Sequence, residues 1–310
     1  MRFLSILLIS LVASHAFAKE VAGIDFAGLK HPVKPLLWKV EGKGLKQESY
    51  LFGTIHLSDK RLTTLHPAAQ KAFDQSAALY TELDLSMASQ LAMVGTFMRK
   101  DKMSLEQLLG NELYAALEEE IRAVNPALSV KPFAQFKIWA LGMMIPGMKD
   151  QLSGKQPLDM QLWTRATKAG QKTGALEQVS DQVGKLDQLT IGEQKHMLEV
   201  TLKLLKKSRE TGVDPFAELV NAYLSGDTEV IEGMLSQDSY LGIKMDPALV
   251  EKFYRLLLHE RNVGMANTIL DVLAGDPGQT SFFAAGAAHY IGEKSVISLL
   301  EDAGYKVTRM

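Results

Sequence analysis

Two short patterns place a histidine three residues after a glycine, each at the end of an apolar run. Gly53-Thr54-Ile55-His56 follows Tyr50-Leu51-Phe52, and Gly286-Ala287-Ala288-His289 follows Ser281-Phe282-Phe283-Ala284-Ala285. A neutral imidazole is a common metal ligand, and imidazole is the usual general base near neutral pH. One G-x-x-H is a weak signal. Two, far apart in the chain and each closing a strand-like run, are explained most simply if both strand ends meet at one site. A third such end is Ala77 to Asp84, which finishes in Glu82-Leu83-Asp84. Side chains alternate along a strand, so this reading sets Glu82 and Asp84 on one face.

Two histidines and one carboxylate make a three-ligand set with room for water or substrate. A divalent ion there lowers the pKa of bound water and polarises a carbonyl. His56, His289 and Glu82 are therefore the predicted ligands, and their types leave manganese, cobalt and zinc open. The bland alternative for Glu82 is a strand-end carboxylate bonded to backbone or lysine. Arg261 is suited to a developing oxyanion or a substrate carboxylate; its bland alternative is a surface helix arginine. His31 and His66 each precede a proline and read as loop or cap residues. His196 reads as solvated on a charged helix face, and His259 either faces the site or covers a helix end. H-E-x-x-H, G-x-S-x-G, P-loop and dinucleotide patterns are absent.

The elements that must position these residues come from both ends of the chain. Leu36–Val40 and Gln47–Phe52 flank the turn-like Glu41-Gly42-Lys43-Gly44 as a β-hairpin. Pro67 opens a helix to about Ser76. Residues 86–150 read helical, with a buried apolar stretch from Phe133 to Met144 broken at Pro146-Gly147. Lys137 and the length of that stretch argue against a membrane span. A helix over 158–169 stops at Gly170, and Lys172–Glu177 follows as a strand. From Asp187 to about Leu273 the chain is helical again, with breaks at Gly212, Gly226 and Gly242 and a cap at Asp246-Pro247. Strand, G-x-x-H, a helix from Glu293 to Asp302, Gly304 and a strand over Tyr305–Thr308 make a βαβ crossover. The predicted fold is α/β: a mixed β-sheet core formed from both ends of the chain, with large helical insertions.

Met1-Arg2, the apolar run Phe3 to Val12 and Ala16-Phe17-Ala18 have the order of a signal peptide over residues 1–18. The expected product is exported and periplasmic, without a membrane anchor. Residues 19–310 are expected to form one domain. Its sheet core lies at about 34–85, 172–178 and 280–310, and its helical lobe at about 86–170 and 187–273. Losing Arg2 takes the formal charge from −2 to −3. That near-neutral balance argues against a nucleic-acid partner. Without cysteine there is neither disulfide nor thiolate chemistry, so stability rests on a core that 46% apolar residues can supply.

The matching pieces resemble the TraB/GumN family, with its Tiki-like metalloproteases. They are Leu36–Val40, Tyr50–His56, Thr81-Glu82-Leu83-Asp84, Leu158-Asp159, Leu176-Glu177 with Gln182, Glu260-Arg261-Asn262, and Gly286–His289 with Gly292-Glu293. The resemblance implies a ChaN- and Tiki-like fold. It also implies a divalent-metal peptidase built on His56, His289, Glu82 and Arg261, with Asn262 of the E-R-N piece and Asp84 of the E-L-D piece beside them. The expected function is an exported metal-dependent hydrolase acting on a peptide or protein substrate. The alternative is a non-catalytic periplasmic protein that binds a peptide, or haem through the same histidines.

Overall fold

A computed structural model describes residues 24–62, 64–235, 239–240, 243–244 and 246–310. The expected signal peptide, and the break at Gly242, lie outside them. A mixed six-stranded sheet is built from β1 (Leu37–Glu41), β2 (Ser49–Thr54), β3 (Ala78–Thr81), β4 (Lys172–Ala175), β5 (Ser281–Gly286) and β6 (Lys306–Arg309). Its spatial order is β4-β3-β5-β2-β1-β6. The first and last strands in sequence are thus neighbours, and β5 lies between β2 and β3.

The β1–β2 hairpin forms as expected, in antiparallel register from Leu37 opposite Phe52 to Val40 opposite Ser49. Its turn runs through positive φ at Gly42, Lys43 and Gly44. β2, β5, β3 and β4 run parallel to one another, with Thr54 opposite Gly286 and Thr81 opposite Ala284. All residues of β2, β3 and β5 are buried, in keeping with near-continuous apolar runs in the middle of a parallel sheet.

Three boundaries differ from the sequence reading. The strand expected over 77–84 ends at Thr81, where the Thr81 hydroxyl bonds the Leu83 carbonyl at 2.6 Å. The alternation that would place Glu82 and Asp84 on one face therefore stops before either residue. The strand expected over 172–177 ends at Ala175. The C-terminal helix and its Gly304 stop are present, but β6 pairs with β1 rather than with β5. The crossover spans two intervening strands.

The helical lobe is broken more often than its pattern suggests. Ile138–Met144 is a helix with all seven residues buried, packed on the long helix Ile191–Thr211. Lys137 escapes burial by pairing with Asp187, which also accepts from Trp139 Nε1 at 2.9 Å. Among the described residues no helix is long and apolar enough to cross a membrane. From Pro247 the chain runs as an α-helix to Tyr254, widens to a π-helical turn over Arg255–His259, and continues as an α-helix over Glu260–Gly275. Such widened turns are frequent at functional sites. This one immediately precedes Arg261 and Asn262.

Candidate functional site

The carboxyl ends of β2, β5 and β3 lie side by side, the edge at which open α/β sheets bind ligands. His56 lies two residues beyond β2, Glu82 one beyond β3, and His289 three beyond β5 in a 3-10 turn over Ala287–Tyr290. The three predicted ligands meet there. Glu82 Oε1 lies 3.1 Å from His56 Nε2 and 3.8 Å from His289 Nε2. It also accepts the Gly286 amide at 2.6 Å.

Each histidine is held by its other nitrogen. His56 Nδ1 donates to Asp159 Oδ2 at 2.8 Å, and Asp159 Oδ1 accepts from Thr54 Oγ1. Asp159 is presented by the first turn of the helix Leu158–Ala169. His289 Nδ1 donates to Asn262 Oδ1 at 2.6 Å, while Asn262 Nδ2 donates to the Lys294 carbonyl at 2.7 Å. That second bond fixes the amide orientation, so the proton of His289 sits on Nδ1 and its Nε2 lone pair faces Glu82. Carboxylate or carbonyl partners of this kind orient metal-binding histidines.

Arg261 is buried. Its Nη2 donates to Glu82 Oε2 at 2.6 Å and to Glu177 Oε1. Its Nε donates to both Glu177 oxygens at 3.0 and 3.1 Å, and Nη1 to the Leu257 carbonyl at 3.0 Å. A guanidinium so committed is not the surface arginine of the bland alternative, and it reaches the site through Glu82. Asp84 does not join the cluster through its carboxylate bond. It accepts the Ser86 amide at 2.8 Å, ahead of the helix Met87–Thr96.

Burial opposes charge on His56, but the Asp159 and Glu82 carboxylates overcome it and raise the imidazole to about 10. Burial dominates at His289 and lowers it to about 3. At Glu82 burial is outweighed by His56, His289 and Arg261, which hold the carboxyl well below the ordinary range. Burial, with the nearby Glu82, pushes Glu177 up even against Arg261. The cluster thus gathers three carboxylates, Glu82 and Glu177 on the Arg261 guanidinium and Asp159 on His56.

Among the described residues no three His, Asp or Glu side chains are placed as they would be around a metal ion. His56 Nε2 closes directly on Glu82, so a proton occupies the contact. Imidazole and carboxylate are nevertheless donor types that suit a divalent cation. A bare His289 lone pair faces a carboxylate oxygen, and neutral imidazoles would leave two carboxylates uncompensated.

The other histidines lie elsewhere. His66 caps the helix Pro67–Asp74, its Nδ1 accepting from Ala68, and its ring meets that of His31 edge-on. His196 departs from the solvated reading, since its Nε2 is buried without a partner. His259 lines a cleft of about 710 Å3 with Asn262 and Lys294. A second cleft, of about 400 Å3, opens at His56 between Pro146, Gln151, Asp214 and Phe216. Asp159, Glu177 and Gln182 were given no role by sequence reasoning. Their signals were the matching pieces Leu158-Asp159 and Leu176-Glu177 with Gln182.

The model of the TraB/PrgY/gumN family matches residues 36–309. The chain is 25% identical over 348 residues to the protein named metalloprotease TIKI1 of Danio rerio, covering 98% of this chain and 69% of that one. It is 26% identical over 301 residues to metalloprotease TIKI2 of Xenopus tropicalis, covering 84% and 57%. Against metalloprotease TIKI1 of Homo sapiens it is 24% identical over 337 residues, covering 95% and 66%. The chain thus spans about three-fifths to two-thirds of these relatives' length. No solved structure matches it significantly. With a family match running from the first strand of the sheet to the last, the chain belongs to the TraB/PrgY/gumN family.

Proposed function

We propose that this protein is a metal-dependent peptidase whose divalent ion is held by His56, His289 and Glu82. The observation that carries the reading is the sharing of Glu82 Oε1 by both imidazoles, at 3.1 and 3.8 Å. Relatives named metalloproteases support the reaction class. A divalent ion bound there would supply a water of lowered pKa and polarise the scissile carbonyl. The chain's own residues do the positioning. Asp159 and Asn262 aim the two imidazoles, and Arg261 with the Gly286 amide aims the carboxylate. The cleft at His56, walled in part by Pro157, Phe216 and Val220, gives an extended substrate access from that side. The order of charge, apolar run and Ala16-Phe17-Ala18 supports export, with Lys19 as the first residue of the mature chain.

The test is metal content and peptide hydrolysis of purified protein, stripped with chelator and reloaded with manganese, cobalt or zinc. One ion per chain and ion-dependent cleavage are expected. His56→Ala and His289→Ala should lose both with circular dichroism unchanged, and His196→Ala should keep both. Wild-type protein that binds no divalent ion sinks the reading. An ion bound without cleavage, or a haem absorption band, turns it into a binding protein.

A further inference from the structure

We propose that Glu177 is a positioning residue for Glu82, acting through Arg261; the inference rests on the reading of Glu82 as a metal donor. Glu177 makes no bond to either histidine. Its carboxylate takes Arg261 Nε and Nη2 together, and Gln182 Nε2 donates to its Oε1 at 2.9 Å. Paired donors of a planar guanidinium meeting two carboxylate oxygens fix its plane as well as its place. The Leu257 carbonyl pins the opposite nitrogen, Nη1, at 3.0 Å. With the plane fixed at both edges, the remaining N–H of Nη2 can point in one direction only. It points at Glu82 Oε2, 2.6 Å away.

The consequence lies on the other oxygen. A glutamate carboxylate rotates freely about its last bond, so nothing within Glu82 itself decides which oxygen faces the histidines. Arg261 captures Oε2, which leaves Oε1 to the Gly286 amide and both imidazoles. The two acidic residues are also tied through the backbone, with the Glu177 amide donating to the Glu82 carbonyl at 3.0 Å. All four side chains, Glu82, Glu177, Gln182 and Arg261, are buried. A guanidinium this enclosed, with Glu177 gone, would have only Glu82 to neutralise it and would draw that carboxylate toward itself. Glu177 thus keeps Arg261 from competing for the donor oxygen while keeping it aimed.

The experiment uses the full chain as Glu177→Gln, Arg261→Met and the double variant. Each is titrated with cobalt(II), read by its visible absorption, and crystallised without added metal. For Glu177→Gln we expect cobalt affinity to fall roughly 10–100-fold, the range seen for outer partners of metal ligands. The visible bands should shift, and the Glu82 carboxylate should turn away from the Gly286 amide. Glu177→Asp should recover part of the affinity. The double variant should bind cobalt no worse than Arg261→Met alone, because both changes break one chain of contacts. Unchanged affinity and an unmoved Glu82 in Glu177→Gln overturn the proposal, as do losses that add in the double variant. If Glu177→Gln does not fold, Gln182→Leu removes only the donor to Glu177 and is read by the same two measurements. Should wild-type protein bind no cobalt, the metal reading fails by itself, and the orientation of Glu82 in the variants still decides this proposal.

Discussion

Gly286 and His56 belong to different copies of the same short pattern, and the first makes room for the second. A Cβ on Gly286 would fall 3.0 Å from His56 Nε2 and 3.1 Å from Glu82 Oε1. The relationship is reciprocal. A Cβ on Gly53 would fall 3.0 Å from the Leu36 Cβ and 3.2 Å from the Cα and Cβ of Ala287, in the turn that carries His289. Each glycine serves the opposite strand's half of the site. Gly286 has an ordinary negative φ, so the requirement is steric and not conformational.

Gly286→Ala should therefore damage the site more than the fold. Overpacking of this kind costs about 1–3 kcal/mol. Here the atoms that must give way are the candidate ligands themselves. A sharp loss of divalent-ion affinity with a modest drop in thermal midpoint is expected from paired calorimetry and metal titration. Full affinity in the alanine variant contradicts this account of the pattern.

Asp159→Asn keeps the shape of the side chain that holds His56 but removes its charge. We expect divalent-ion affinity to fall roughly 10–100-fold. Asn262→Ala, which removes the acceptor for His289 Nδ1, should cost a similar factor by freeing the ring to choose the other tautomer. Isothermal titration of both variants checks this. An Asp159→Asn protein that binds metal like wild type shows that His56 needs no carboxylate behind it.

Protein stripped of metal should be most stable near pH 6.5. His56 is raised to about 10, so the folded state keeps a proton that the unfolded chain releases above its ordinary value of 6.5. That stabilisation is complete below pH 6.5 and is lost as pH rises toward 10. His289 is lowered to about 3, so below pH 6.5 the unfolded chain takes a proton that the folded state refuses. Stability falls on that side as pH drops toward 3, and the depressed Glu82 adds to the fall. Urea midpoints across this range test both limbs, and His56→Ala should remove the alkaline one while weakening the acid one only in part, since His289 and Arg261 still hold Glu82 down. Wild-type midpoints that do not decline between pH 7 and 9 rule out the His56 pairing.

Local chemistry made much of this protein legible from its residues. Two glycine–histidine pairs after apolar runs marked strand ends, and runs such as Ser281–Gly286 are long enough to identify buried strands. The hairpin with its glycine turn, the Gly170 stop and the Asp246 cap follow from backbone rules that act within a few residues. Strand order does not follow from such rules. That β5 lies between β2 and β3 depends on pairing across more than two hundred residues, and this pairing brings His56, Glu82 and His289 together. The partners decided by that packing were the ones missed. Asp159 sits in the first turn of a helix whose bounds were legible but whose inward face was not, and Glu177 lies past the end of a four-residue strand. Arg261 looks alike in sequence whether it faces water or a buried pair of carboxylates. Only the sheet edge above it, carrying Glu82 and Glu177, makes a buried guanidinium tolerable, because a buried charge must be paired.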